Sequence, residues 1–183
     1  MKVYTFLTDG FETVEALAVI DILRRAGIEV ETVSITGNEQ VCSAQNITVK
    51  ADTLFKAQPV RKEDVLFLPG GPGHKQYNEC KPLLKLLEKH HAEGGRIAAI
   101  CAAPSILGHL GILNGKKATA FPGFEKDLTG AEVLTAPVKV VTDGNITGMG
   151  ASIELGLELV RLLISEEKAQ EIGQSVQYLE KQA

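Results

Sequence analysis

Residues 96 to 104 read Arg-Ile-Ala-Ala-Ile-Cys-Ala-Ala-Pro, an apolar run that ends on Cys101 shortly before a helix start. A thiol at that point sits in the sharp turn between a strand and a helix N-terminus. Unpaired backbone N–H groups there favour negative charge, so the thiolate form is expected to be stabilised. Pro104 fits the first helical turn, where its missing donor costs nothing. Upstream, the carboxyl of Glu15 and the loop Pro69-Gly70-Gly71 could complete a site around the sulfur. Together these types suit nucleophilic chemistry: a thiolate adds to an electrophilic carbon, a carboxyl moves a proton, and N–H groups hold an oxyanion. The alternative is a buried structural cysteine, since free Cys is among the most buried residue types. Small neighbours (Ala99, Ala102, Ala103) and the turn placement favour the reactive one.

Glu15 has two readings. Asp9 with Glu12 three residues on fits a capping box, which accounts for both without needing Glu15. Flanked by Val14 and Ala16, with Ala18 and Val19 a turn further, a carboxyl here tends to stay protonated and could donate to a thiolate. A solvated glutamate in a helix's first turn fits the spacing equally well. Gly70, Gly71 and Gly73 either form a tight turn or let backbone N–H groups approach an oxyanion. His74, in that loop, could reach Cys101 as a base or simply face water. His90 and His91, near a helix C-terminus, are expected to favour the dipole and face solvent, and His109 to pack or cap its helix end. No histidine pair has metal-ligand spacing, so no metal is expected. No nucleotide cofactor is expected either. The glycine loop reads G-G-x-G, the turn Leu7 to Glu12 lacks G-x-G-x-x-G, and near Gly148-Met149-Gly150 the third glycine is replaced by Ile153.

The elements that must position these residues alternate. Residues 2–7 read as a strand, 12–26 as a helix and 29–36 as a strand. In the helix Ala16, Val19, Ile20 and Leu23 share a face, and Arg24, Arg25 and Gly27 mark its end. Residues 41–52 suggest a hairpin or an edge extension. Val65-Leu66-Phe67-Leu68 is continuously apolar, as for a central strand buried on both faces. The loop 69–73 follows, then a helix near 80–93, a buried strand 96–101 and a helix 103–110. Residues 137–141 and 145–147 bracket Asp143-Gly144, a hairpin signal. A helix over 151–164 precedes Ser165, an N-cap with Glu166 and Glu167 in the next first turn. With no internal repeat and no dividing linker, residues 1–183 are expected to form one α/β domain around a mostly parallel sheet. Ligands of such sheets bind beyond the strand carboxyl ends, where Thr8 to Glu12, Gly70 to Gly73 and Cys101 should converge.

Bulk properties narrow the classes. The 183-residue chain is 44% hydrophobic and 23% charged with no Trp, ordinary for a soluble globular protein. A net charge of −4 without a basic stripe argues against nucleic acid as a partner. No apolar run approaches membrane-spanning length, and Met1 to Phe6 begins as a strand without a signal-peptide core, which suggests a cytoplasmic protein. Cys42, Cys80 and Cys101 are odd in number and lack C-x-x-C spacing, which argues against a disulfide framework or a zinc knuckle.

Four segments taken together resemble the ThiJ/PfpI superfamily, and more closely its parkinsonism-associated deglycase (DJ-one-like) branch. They are Asp9-Gly10-Phe11-Glu12-Thr13-Val14-Glu15, Asp21 to Gly27, Leu68-Pro69-Gly70-Gly71 and Ala98 to Pro104. The resemblance spans nearly the whole chain. It implies a flavodoxin-like three-layer sandwich related to class I glutamine amidotransferases, usually a homodimer. By resemblance Cys101 is an easily oxidised nucleophile, Glu15 its protonated partner, and Gly70, Gly71 and Ala102 supply the oxyanion and substrate pocket. It also implies glyoxalase or deglycase activity on α-oxoaldehydes such as methylglyoxal, along with redox-sensing and chaperone roles. Three departures stand out. The protease-like branch has a histidine directly after the nucleophile where this chain has Ala102. The animal branch has a histidine where this chain has Phe121, and arginines where it has Ala44 and Thr147. The leading expectation is a cofactor-independent cysteine enzyme acting on small aldehydes or glycated adducts. A redox-sensing chaperone, in which Cys101 becomes a sulfinate, is the first alternative. A cysteine amidase or peptidase, with His74 as base, is the second.

Overall fold

The computed structural model of the chain describes residues 1–56, 59–148 and 150–180. Eleven strands occur among them: β1 (Lys2–Leu7), β2 (Glu29–Ser34), β3 (Gln40–Cys42), β4 (Thr48–Lys50), β5 (Thr53–Leu54), β6 (Val65–Leu68), β7 (Arg96–Ile100), β8 (Lys117–Ala118), β9 (Glu132–Val133), β10 (Val140–Asp143) and β11 (Asn145–Gly148). The α-helices are α1 (Thr13–Arg25), α2 (Lys75–Glu79), α3 (Lys81–Ala92), α4 (Pro104–His109), α5 (Ser152–Leu163) and α6 (Glu166–Ser175).

The main sheet runs β10-β11-β7-β6-β1-β2-β5, parallel throughout except for the β10–β11 hairpin at one edge. Its central strands are apolar on both faces because helices cover both. Val65 and Phe67 of β6 point into a cluster with Val19 and Leu23 of α1, Leu155 and Leu159 of α5 and Ile172 of α6. Leu66 and Leu68 point the other way, onto Leu83 and Leu87 of α3 and Ile106 and Leu107 of α4. Alternate residues of one strand thus feed opposite layers, which gives the flavodoxin-like α/β sandwich. From β1 the chain first moves outward to β2 and β5, then returns to add β6, β7 and β11 on the other side. The order reverses between β1 and β6, so the crevice of this sheet opens beyond their carboxyl ends.

Local signals hold at several ends. Past α1, Gly27 takes φ 81°, and the Ile28 N–H donates to Leu23 O while the Gly27 N–H donates to Arg24 O, a paired C-terminal closure. Ser165 Oγ accepts the Lys168 N–H at 3.1 Å and caps α6. Residues 40–50 form an antiparallel hairpin, β3 with β4, separate from the main sheet, while β5 extends its edge. Asp143 and Asn145 pair across Gly144.

Three expectations are corrected. The Asp9–Glu12 capping box does not form: Glu12 occupies the N-cap of α1 without a side-chain cap, and Asp9 Oδ1 accepts the Cys42 N–H at 2.9 Å. The turn through Gly10 (φ 79°) carries Asp9 away from the helix and onto the β3–β4 hairpin. The segment after β6 is not wholly loop, since a 3-10 turn (Pro72–His74) leads into α2. His90 does not face water: it is 2% exposed, with Nε2 3.1 Å from Asp64 O and 3.2 Å from Arg96 O. Burial lowers its pKa.

Candidate active site

Register brings the candidate residues together. β6 and β7 pair with Leu68 opposite Ala99, so the chains leaving these strands emerge side by side. Cys101 follows β7 directly and takes a left-handed backbone (φ 61°), a strained conformation for a side chain of this size. Its peptide is fixed on both sides. The Cys101 N–H donates to Gly148 O at 2.7 Å, and Cys101 O accepts the Phe121 N–H at 2.9 Å. The half-buried thiol is thereby turned toward the loop after β6.

That loop has to be glycine. A Cβ on Gly70 would lie 2.6 Å from Cys101 Cβ, 2.6 Å from Glu15 Oε2 and 2.8 Å from Ile100 O. Without it, the Gly70 N–H donates to Glu15 Oε2 at 3.0 Å. Gly71 takes φ 89°, while the Glu12 N–H donates to Gly70 O at 3.0 Å and ties the loop to the start of α1. Behind it, the buried Tyr77 hydroxyl lies 2.9 Å from Phe6 O and 3.1 Å from Pro69 O as donor. The expected convergence of the ends of β1, β6 and β7 is therefore present.

Glu15 is 4% exposed and hydrogen-bonded to the Cys101 side chain. Burial is the largest influence on it and pushes its pKa up to about 7; the Cys101 and Gly70 hydrogen bonds oppose this, and the negative Glu12 adds a smaller upward push. Sγ in turn accepts from the Gly71 and Ala102 N–H groups. Burial, then the Glu15 negative charge, push the Cys101 thiol up to about 12. While Glu15 is ionised, turn placement alone therefore does not make this sulfur a thiolate at neutral pH. α4 is one short helix, and two N–H donors do not outweigh burial beside a carboxylate. Both groups hold their protons more tightly than free side chains do, so the charge on the pair depends on where their shared proton rests.

Other candidates lie apart. His74 Nδ1 is 2.9 Å from Gly71 O, and its ring meets Phe124 edge to face at 5.2 Å, so Nδ1 and the ring are engaged by these partners. His109 is exposed, 3.8 Å from Asp127. Cys42 and Cys80 are half-buried and free. Met149, part of the glycine pattern tested for nucleotides, lies outside the described residues, as does the Thr147 side chain. Among the described residues no cluster of three or more His, Cys, Asp or Glu is placed to hold a metal, and no helix is long and apolar enough to cross a membrane. Volume alone does not point to this site. A cavity of about 540 Å³ lined by Lys62, Arg96 and Leu163 lies at the opposite end of β7 from Cys101.

Two neighbours are not legible as site residues from spacing. Phe121 is drawn in by its bond to Cys101 O, and Gly150 follows β11 on the same edge of the sheet. A point one bond above Gly150 lies 3.9 Å from Glu15 Oε1 and 4.0 Å from Phe121 Cδ2. A glycine just past a strand was the available signal for Gly150. Phe121 is marked by the family resemblance alone, as the position where the animal branch has a histidine.

Comparison with known proteins identifies the family. Residues 1–162 match the model of the DJ-1/PfpI family. Protein DJ-1 homolog B of Arabidopsis thaliana is 37% identical over 177 residues, covering 94% of this chain and 40% of that protein. The chain spans less than half the length of the two Arabidopsis relatives it matches. Protein dj-1beta of Drosophila melanogaster is 34% identical over 174 residues, 93% of each chain. A protein named Deglycase PH1704, from Pyrococcus horikoshii, is 32% identical over 145 residues, 79% of this chain and 87% of that one. The structure of oxidized DJ-1 from Toxoplasma gondii superposes with a TM-score of 0.91 at 33% identity, covering 98% of this chain and 99% of that one. With residues 1–162 matched by the family model and a relative 34% identical over 93% of the chain, the chain belongs to the DJ-1/PfpI family.

Proposed function

We propose that the protein is a cofactor-independent cysteine enzyme of glyoxalase or deglycase type, acting on α-oxoaldehydes or their adducts. The observation that carries this is the convergence of four groups: the Cys101 sulfur, the Glu15 carboxyl bonded to it, and the Gly71 and Ala102 N–H groups aimed at it. The relatives named deglycase support the same direction.

The resting pair is a Cys101 thiolate with the proton on Glu15. In that arrangement the sulfur accepts three donors, a carboxylic O–H and two N–H groups. In the reverse arrangement the carboxylate has the Gly70 N–H and only a weak S–H donor. The sulfur adds to the aldehyde carbon of methylglyoxal, the C=O electron pair moves to oxygen, and the Gly71 and Ala102 N–H groups hold that oxygen. Glu15 gives this oxygen its proton, which forms a hemithioacetal. The resulting carboxylate takes the C1 proton, giving an enediolate, and returns it to C2, while the C1 hydroxyl proton passes to the C2 oxygen. The product is a thioester of lactate, and water releases lactate and regenerates the thiol pair. No external oxidant is needed, because C1 is oxidised as C2 is reduced. Methylglyoxal turnover by the wild type and its loss in Cys101→Ala test the reading; equal rates in the two proteins would remove it.

A second reading is favoured by the oxidized state named for the similar Toxoplasma protein. Here the Cys101 thiolate takes one oxygen from each of two peroxide molecules, releasing two waters and leaving a sulfinate held by Glu15 and the same N–H groups. This is the chemistry of a redox sensor, with a holdase role as its output. Selective addition of two oxygens at Cys101 under mild peroxide, read by intact mass, supports it; equal oxidation at Cys42 and Cys80 removes it. The amidase reading lacks its base, because His74 is held by Gly71 O and Phe124.

A further inference from the structure

Beside the Cys101–Glu15 pair, Gly150 and Phe121 form a flank that the mechanism does not use. A Cβ built on Gly150 meets no atom nearer than Glu15 Oε1 at 3.9 Å and Phe121 Cδ2 at 4.0 Å. The position one bond above this glycine is therefore in van der Waals range of the carboxyl on one side and an aromatic ring on the other. The ring is 47% exposed, so it presents an apolar surface on this flank. It is also held in place, since its own N–H donates to the carbonyl of Cys101 at 2.9 Å. The backbone that fixes the sulfur thus fixes the ring.

The charged side chain that acts on Glu15 is itself negative. Glu12 is the further charged group acting on Glu15, and Gln45 Nε2 holds Glu12 Oε2 at 3.1 Å. Among the described residues no Lys or Arg acts on Glu15. A substrate bearing a carboxylate or phosphate would meet repulsion with no cation to pair it, whereas an apolar group beside the reacting carbonyl would cover the Phe121 face.

We infer that Phe121 is the specificity wall of this site, and that its substrates are α-oxoaldehydes carrying an uncharged apolar or aromatic group in preference to small or anionic ones. The inference rests on Cys101 as the point of aldehyde addition. An aromatic substituent seated against Phe121 above Gly150 gains buried apolar area and a ring-to-ring contact, both lost when the side chain is removed.

The experiment uses three probes, phenylglyoxal, methylglyoxal and glyoxylate, on the wild type, Phe121→Leu and Phe121→Ala. It has two readouts. One is kcat/KM, and the other is the aldehyde concentration that halves the rate of Cys101 alkylation by iodoacetamide, which reports addition at the sulfur without turnover. The wild type should favour phenylglyoxal over methylglyoxal by about tenfold in both readouts, with glyoxylate weakest. In Phe121→Ala that ratio should fall by about tenfold, with Phe121→Leu between. Turnover with a phenylglyoxal-to-methylglyoxal ratio the same in Phe121→Ala as in the wild type overturns the wall and leaves the proposed activity standing. A ratio that falls in the protection readout without turnover of any probe upholds the wall and overturns the activity. Absence of both protection and turnover overturns the two together.

Discussion

The Gly70 N–H donates to Glu15 Oε2 at 3.0 Å, and the place a Gly70 side chain would occupy is 2.6 Å from that same oxygen and 2.6 Å from Cys101 Cβ. One residue both supplies a donor to the carboxyl and leaves the room in which carboxyl and thiol meet. Gly70→Ala should therefore separate Glu15 from Cys101. Overpacking here costs about 1–3 kcal/mol of stability, and misplacing the pair should lower kcat/KM for methylglyoxal by about 100-fold. Denaturant unfolding and steady-state rates check both. A variant with wild-type activity would show that the contact does not matter.

Stability should depend on pH through Glu15. Its pKa is raised from 4.5 to about 7 in the folded protein. Between these values the unfolded chain has lost the proton and the native pair has kept it. The contribution is therefore fully present below about 4.5 and is lost as pH rises through about 7, on the order of 3 kcal/mol in all. Glu15→Gln removes this dependence. Unfolding free energies at pH 5 and about 8 should differ by less in the variant than in the wild type; the same difference in both would exclude Glu15 as its source.

Thr5 sits fully buried in the middle of β1, and its hydroxyl has no hydrogen-bond partner among the described residues. It is nearly isosteric with valine, so Thr5→Val exchanges an unpaired polar atom for a methyl group. The variant should be about 1 kcal/mol more stable, with unchanged methylglyoxal turnover. The denaturant midpoint is the measurement, and a loss of stability would mean that the hydroxyl has a role in the core.

Tyr77 braces the glycine loop from behind, its hydroxyl close to both Phe6 O and Pro69 O. Tyr77→Phe leaves two buried carbonyls without that donor and should cost about 1–2 kcal/mol. Because Pro69 leads directly into Gly70, the variant should also lower kcat for methylglyoxal more than it raises KM. Equal stability in wild type and variant would show that the bonds are replaced by others.

Much of this arrangement was legible before any coordinates. The unbroken apolar run of β6 announced a strand buried on both faces. Gly27 marked the end of α1, Ser165 capped α6, and Cys101 followed its strand as expected. These are local features, each set by residues within a few positions. Glu15 was ambiguous, because first-turn spacing does not say what covers a carboxyl; Gly70, 55 residues later, does. His90 looked like a solvated helix-end residue because its acceptors, Asp64 O and Arg96 O, belong to the strand edges it packs against. Asp9 was assigned to a cap because nothing nearby reveals the β3–β4 hairpin that takes it. Phe121 enters the site through a backbone bond to Cys101 O, a contact no residue pattern encodes. Which of Cys101 and Glu15 holds the shared proton is likewise set by burial of the pair, a product of the fold.

The most direct measurement is the ionisation of Cys101 itself, read as thiolate absorbance and iodoacetamide alkylation rate against pH, with Cys101→Ala subtracted. If the pair keeps its proton on Glu15, the thiolate should appear with a midpoint near the value of about 7 that marks loss of the pair's first proton. Glu15→Gln, a neutral donor, should preserve a thiolate at neutral pH. A sulfur that stays protonated toward about 12, the value set by burial beside an ionised Glu15, would contradict the account.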